Sequence, residues 1–188
     1  MTKEEEKSII DRIKAGETPL FDKLVDYHSP KILSVITGVV GIKEDAEEVA
    51  QDVFVKAFFS LDKFRGDCAF STWLFRIAYN MSISAIRKRR NNLIPLEMVS
   101  NFRQISEQSS ENESDEIIRL NEKRVLEIIN KLDSGDRFLL LLFYNQEKSI
   151  KDISDITGLS EANIKTKLHR IKKRVRVMLG DKMEVCYG

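Results

Sequence analysis

Apolar residues recur along this chain at helical rather than strand spacing. Ala46, Val49, Ala50, Val53, Phe54, Ala57 and Phe58 follow i, i+3, i+4, i+7, i+8, i+11 and i+12, one stripe of a helix. The other face carries Glu47, Glu48, Gln51, Asp52 and Lys56. A turn is expected at Phe64-Arg65-Gly66-Asp67, and then a helix from Phe70 to Arg90. Trp73, Leu74, Ile77, Met81 and Ala85 form its core face, while Thr72, Arg76, Asn80 and Arg87 fall on a different stripe. It closes on the basic run Arg87-Lys88-Arg89-Arg90, before Asn91-Asn92. Upstream, Leu20, Phe21, Leu24 and Val25 predict one helix. Ile32, Leu33, Val35, Ile36, Val39 and Val40 predict another, with Pro30 near its start, where proline is tolerated.

A second helical region follows a polar tract. Val125, Leu126, Ile128, Ile129 and Leu132 supply one helix. The apolar run Phe138 to Tyr144 fits helix or strand by length, and its helical neighbours favour helix. Ser149 and Asp152 resemble an N-terminal cap, and a short helix from there buries Ile150, Ile153 and Ile156. Thr157-Gly158-Leu159-Ser160 turns the chain, and Ser160 can cap the next helix. In that helix Ile164, Leu168, Ile171 and Val175 face inward at i, i+4, i+7 and i+11. Two short helices about such a turn form a helix-turn-helix, whose second helix is free to enter a major groove. The expected fold is all-α: two small helical domains joined by a flexible linker, the second containing the helix-turn-helix.

Charge sharpens that division. The 188 residues carry a net charge of +1, which excludes a uniformly basic nucleic-acid coat. Counted by segment, residues 1–93 are net +1, residues 94–118 net −5 and residues 119–188 net +5. The middle segment includes the stretch Gln104 to Ser114, which has no apolar periodicity, and reads as a flexible acidic linker. The outward face of the last helix carries Lys165, Thr166, His169, Arg170 and Lys173. Lys167, Lys172, Arg174 and Arg176 add to a basic surface able to neutralise phosphates and read guanine edges.

Other chemistry is sparse. Cys68 and Cys186 lie far apart with no paired spacing, so neither a disulfide framework nor a zinc site is expected. No cofactor, metal site or small-molecule substrate is expected, and no nucleophile–base pair or Gly-rich phosphate loop suggests an enzyme. The segment Met1 to Arg12 lacks the apolar core of a signal peptide, and no stretch is apolar enough to span a bilayer, so a cytoplasmic protein is expected.

Three stretches, in order, resemble bacterial RNA polymerase sigma factors of the extracytoplasmic-function (ECF) type. Asp45 to Phe58 is similar to the helix that docks on the clamp coiled coil of the polymerase. Phe64 to Asn80 is similar to the promoter-melting and −10-reading segment. Ile153 to Arg170 is similar to the −35-reading helix-turn-helix. The resemblance covers about residues 15–180 apart from the linker. Three positions depart from the family pattern: Phe58 stands where the family has Trp, Leu132-Asp133 replaces Leu-Pro, and Asn163 replaces Thr.

The resemblance implies a non-enzymatic specificity subunit that binds core RNA polymerase and directs initiation at selected promoters. It implies a region 2 domain at 1–93, a linker at 94–118 and a region 4 domain at 119–188. Glu47, Glu48, Gln51 and Asp52 would meet the polymerase. Lys63, Phe64 and Arg65 would help hold a flipped non-template base, with Phe64 equally suited to the core. Thr72, Arg76, Asn80 and Arg87 would face the −10 element, with Lys88, Arg89 and Arg90 on phosphates. Trp73 would act there too, though core packing is its main expected role. Lys165, Thr166, Lys167, His169, Arg170 and Lys173 would bind the −35 element. Expected partners are core polymerase, double-stranded promoter DNA, its melted non-template strand and, by family habit alone, an anti-sigma factor. The alternative readings are a stand-alone helix-turn-helix regulator and a helical decoy that binds polymerase.

Overall fold

The structure is a computed structural model and describes residues 1–92 and 129–179, with the side chains of residues 90–92, 178 and 179 left out. The acidic linker, the start of the Val125–Leu132 helix and Cys186 lie outside the described residues. All regular structure among the described residues is helical. The first half contains α1 (Lys3–Lys14), α2 (Phe21–Val40), α3 (Lys43–Phe59) and α4 (Phe70–Asn92). The second contains α5 (Ser134–Tyr144), α6 (Ile150–Thr157) and α7 (Glu161–Leu179). None of the described helices is long and apolar enough to cross a membrane.

Helix α1 was not anticipated, although its signal is present. The Thr2 hydroxyl accepts from Glu5 N–H at 3.2 Å and the Glu5 carboxylate accepts from Thr2 N–H at 2.7 Å, a complete capping box. Ile10 and Ile13 bury one face of α1, and Glu6 reaches His28 of α2, with Oε1 2.8 Å from Nε2. His28 is 4% exposed and meets Tyr27 and Phe70 edge-on, so it is a core residue joining α1, α2 and α4.

Helix α2 replaces the two helices expected from the sequence. Pro30 lies inside it rather than near a start, so no amide hydrogen is offered to the Asp26 carbonyl. Pro30 and Asp26 are both on the exposed side, where water can satisfy that carbonyl. The opposite stripe, Leu24, His28, Ile32, Val35, Ile36 and Val39, is buried without interruption, and this packing carries the helix through the proline. Gly41, at φ 83°, ends it in a left-handed turn.

Helix α3 buries Ala46, Val49, Ala50, Val53, Phe54 and Ala57, the stripe read from the sequence. Its alanines let α2 and α4 approach closely. Helix α4 is covered on more sides than its periodicity suggested. Phe70, Thr72, Leu74, Phe75, Ala78 and Ser82 are buried, whereas Trp73, Ile77, Met81 and Ala85 are only half-buried. The difference arises because α4 is packed by α2 and α3 on one flank and by α6 on the other.

The second half follows its caps. Asp133 accepts from the backbone N–H of Gly135 and Asp136 at 2.9 and 3.0 Å and starts α5. The helical expectation for Phe138 to Tyr144 holds, with Phe138, Leu139 and Leu142 buried. Ser149 and Asp152 form the capping box that starts α6. Gly158, at φ 75°, closes α6 in a conformation that a side chain would strain. Ser160 Oγ accepts from Asn163 N–H at 3.3 Å and opens α7. Ile153, Ile156, Ile164 and Ile171 are buried between α6 and α7, and Leu168 and Val175 pack against them. These contacts hold the helix-turn-helix. The two halves share one continuous apolar core.

Candidate nucleic-acid interface

Helix α7 is amphipathic, and its inner isoleucines fix which side chains face outward. Lys165, Thr166, His169, Arg170 and Lys173 are all exposed, as are Lys172, Arg174 and Arg176. A helix inserted in a major groove presents such a face to base edges and to both phosphate walls. Lys167 departs from this surface. Its Nζ lies 2.6 Å from Asp136 Oδ1 on α5, and that hydrogen bond and charge hold the ammonium above the usual lysine range. Lys167 therefore joins α7 to α5 and does not extend the outward basic face.

The second basic region lies on α4. Arg76 and Asn80 are exposed, as are Arg87, Lys88 and Arg89 near its end. Arg89 is drawn to Asp45 of α3, with Nη1 3.4 Å from Oδ2. Arg90 continues the helix, its side chain lying outside the described residues. Thr72 does not share the exposed stripe. It is 1% exposed, and its hydroxyl donates to Asp152 Oδ1 at 3.4 Å.

The loop before α4 separates two kinds of residue. Lys63 and Arg65 are exposed. Phe64 is buried, its ring centroid 5.4 Å from Phe70 and 5.3 Å from half-buried Trp73. Lys14 Nζ donates to the Phe64 carbonyl at 2.6 Å and anchors the loop to α1. Phe64 thus supports the loop from below, and Trp73 is shared between core and surface. Cys68 is half-buried beside the loop. Burial first, and then the charges of Asp155 and Asp67, push its thiol up, so it stays protonated at neutral pH.

A third surface lies on the outer face of α3. Glu47, Glu48, Gln51 and Asp52 are all exposed, and Lys43 is 4.0 Å from Glu47. Sequence reasoning missed how this face continues. Val55 and Phe59 follow Glu48 and Asp52 at helical spacing and are 54% and 81% exposed. An acidic stripe ending in an uncovered aromatic ring fits a partner with a basic surface and an apolar notch. The signal was available: Phe59 falls off the 46-49-50-53-54-57 stripe.

Comparison with known proteins gives these surfaces a family. The profile of Sigma-70 region 2 matches residues 24–92, and that of Sigma-70 region 4 matches residues 122–175. The chain is 30% identical over 182 residues to the ECF RNA polymerase sigma factor SigW of Bacillus subtilis, covering 93% of this chain and 97% of that one. It is 26% identical over 180 residues to the ECF RNA polymerase sigma-E factor of Haemophilus influenzae, covering 90% and 93%. Among solved structures it resembles the sigma factor RpoE from Bartonella quintana, crystallised with the anti-sigma factor NepR. The TM-score is 0.69 at 20% identity, over 87% of this chain and 98% of that one, a likeness of fold. With two matched regions in order and a relative aligned over nearly its whole length, the chain belongs to the extracytoplasmic-function sigma factors of bacterial RNA polymerase.

Proposed function

We infer that this protein binds core RNA polymerase and directs it to a subset of promoters by recognising −10 and −35 elements and melting the promoter. The observation that carries the reading is the match to regions 2 and 4 in one chain, together with the alignment of 93% of the chain to an ECF RNA polymerase sigma factor. A stand-alone helix-turn-helix regulator would have no use for the region 2 half, and that reading is not favoured.

The division of labour we propose follows the surfaces. The face formed by Glu47, Glu48, Gln51 and Asp52 meets the polymerase clamp. Lys63, Arg65, Arg76, Asn80, Arg87, Lys88, Arg89 and Arg90 serve the −10 element and the melted strand, with Phe64 and Trp73 shaping the loop. Thr72 is the member of the expected −10 stripe that α6 covers. Lys165, Thr166, His169, Arg170 and Lys173 serve the −35 element, with Lys167 bracing their helix. The domains we propose run 1–93 and 119–188, joined by the acidic linker 94–118. The protein has no catalytic role of its own and works in the cytoplasm, where polymerase and chromosome are. An anti-sigma factor is a fitting regulator, as one accompanies the RpoE structure.

The test is open-complex formation. Core polymerase with this chain should render thymines near a start site reactive to permanganate on a cognate promoter, and core alone should not. Unreactive thymines on every promoter bound by the complex would refute the melting role.

A further inference from the structure

A basic cavity of about 190 Å³ lies outside the DNA and polymerase surfaces, where α1, α2, the start of α4 and the loop between α5 and α6 meet. Lys3 of α1, Lys31 of α2 and Lys148 of the loop line it from three separate elements, with Ser71 of α4 beside them. Its lining carboxylate, Glu6, is engaged with His28, Oε1 lying 2.8 Å from Nε2. Lys148 is half-buried, yet among the described residues it forms no ion pair. Its Nζ donates to Ser71 Oγ at 2.9 Å and sits 5.5 Å from the centroid of buried Phe75. The carboxylates whose charge reaches it are held by other groups, Asp152 by Ser149 and Thr72, and Glu6 by His28. Burial pushes the Lys148 ammonium below the usual lysine range; the charge of Asp152 opposes that and the charge of Lys31 adds to it. Lys3 and Lys31 are exposed, and neither forms an ion pair among the described residues. A partly desolvated cation beside further cations is costly without a counter-charge, and an anion seated among them removes that cost.

We propose that this cavity binds a small free phosphoryl anion, a phosphate or diphosphate, held by Lys3, Lys31 and Lys148 with the Ser71 hydroxyl donating. The proposal goes beyond the promoter-directing reading and does not depend on it. Ammonium groups arriving from three elements suit a ligand with several acceptor oxygens and more than one negative charge, which a phosphoryl group supplies and a single carboxylate does not. Lysine serves such a ligand as a point charge free to follow its oxygens. Ser71 Oγ accepts from Lys148, so its own proton is left to donate. Beside these groups the cavity is walled by Ile32 and by the rings of Tyr27 and Phe75, with Lys31 Nζ 5.9 Å from the Tyr27 centroid. The Lys148 ammonium is set in a concavity rather than on an open face, a place that a small anion enters and a duplex backbone does not follow. An anion held there joins residues 3, 31, 71 and 148, so its binding adds to the stability of the folded chain by mass action.

The experiment is calorimetric titration of the full chain with inorganic pyrophosphate at fixed ionic strength. Three variants accompany it: Lys148→Met, which keeps an apolar stem against Phe75 and removes the charge; Lys31→Ala; and Lys56→Ala, an exposed lysine of α3 away from the cavity. The wild-type chain should bind one pyrophosphate saturably. Lys148→Met and Lys31→Ala should each weaken binding about tenfold, the scale of one lost charge-assisted hydrogen bond, and Lys56→Ala should bind as the wild type does. Lys31 is exposed, so its variant decides the matter if Lys148→Met does not fold. No saturable binding by the wild type would overturn the proposal. So would full affinity in Lys31→Ala, or an equal loss in Lys56→Ala, which would mean attraction to overall charge and no built site. A last arm adds a single-stranded oligonucleotide without terminal phosphates. Pyrophosphate that stays bound supports a site for a free anion, and pyrophosphate displaced from the cavity would overturn that assignment in favour of a backbone phosphate.

Discussion

Lys167 Nζ lies 2.6 Å from the Asp136 carboxylate and ties the middle of α7 to α5. Two residues earlier, Lys165 points to solvent. Neighbouring lysines of one recognition helix thus hold different jobs. Lys165→Ala should weaken −35-dependent promoter binding by about 1–3 kcal/mol, with stability within about 0.5 kcal/mol of wild type. Lys167→Ala should do the reverse, lowering stability by about 0.5–1 kcal/mol and sparing DNA affinity. Denaturant titrations and binding isotherms check both. Because Lys167 is raised in the folded chain, its contribution is present at neutral pH and fades only as pH climbs through and above the usual lysine range. Loss of DNA affinity in Lys167→Ala at unchanged stability would return that lysine to the DNA.

Asp152 predicts the acid response of the second half. Burial alone would push its carboxyl up. The Ser149 hydroxyl and backbone, then the Lys148 charge and the Thr72 hydroxyl, outweigh burial and hold it below the usual range. A depressed carboxylate stabilises the fold above its unfolded pKa of about 3.9 and stops doing so as pH falls through its folded value. Stability should therefore drop on acidification below about pH 4, and Asp152→Asn should reduce that drop. Denaturant midpoints at pH 5 and pH 3 measure it, and an identical drop in the variant would count against this role.

Phe59 predicts a separation of folding from polymerase binding. Its ring is 81% exposed and, among the described aromatic residues, meets Phe58 alone, edge-on at 5.5 Å. Phe59→Ala should leave the melting temperature nearly unchanged. It should weaken binding to core polymerase by about 1.5–3 kcal/mol, the scale of burying a phenylalanine. Fluorescence competition with core polymerase checks this, and equal affinity would place the partner elsewhere on α3.

Phe64 and Arg65 should part in the same manner within the loop. Phe64→Ala removes a buried ring between Phe70 and Trp73 and should cost about 3–5 kcal/mol of stability. Arg65→Ala, at an exposed position, should leave stability intact and slow open-complex formation. Thermal melts and permanganate time courses separate the two effects. If Phe64→Ala proves stable but melting-defective, its ring belongs to the DNA pocket.

Much of this was legible in the sequence because helix periodicity and caps are local. The α3 stripe, the Ser149–Asp152 box, the Gly158 turn and the inward isoleucines of α7 all follow from residues within a few positions of one another. What was not legible depends on distant partners. Pro30 suits the start of a helix by local rules and is overridden by a buried stripe that spans it. Thr72 belongs to a polar stripe until α6, some eighty residues on, covers it. Lys167 looks like its basic neighbours until Asp136 claims it. The 81% exposure of Phe59 depends on which face of α3 the neighbouring elements leave open, and Phe58 beside it packs against Phe21 of α2.

The most direct measurement is in vitro transcription with core polymerase across a genomic promoter library, reading the 5′ ends of the transcripts. Added to core, this chain should produce starts at a restricted promoter set sharing −10 and −35 elements, and Arg170→Ala should reduce those with the strongest −35 dependence. No start above the core-only background would contradict its assignment as a promoter-directing subunit.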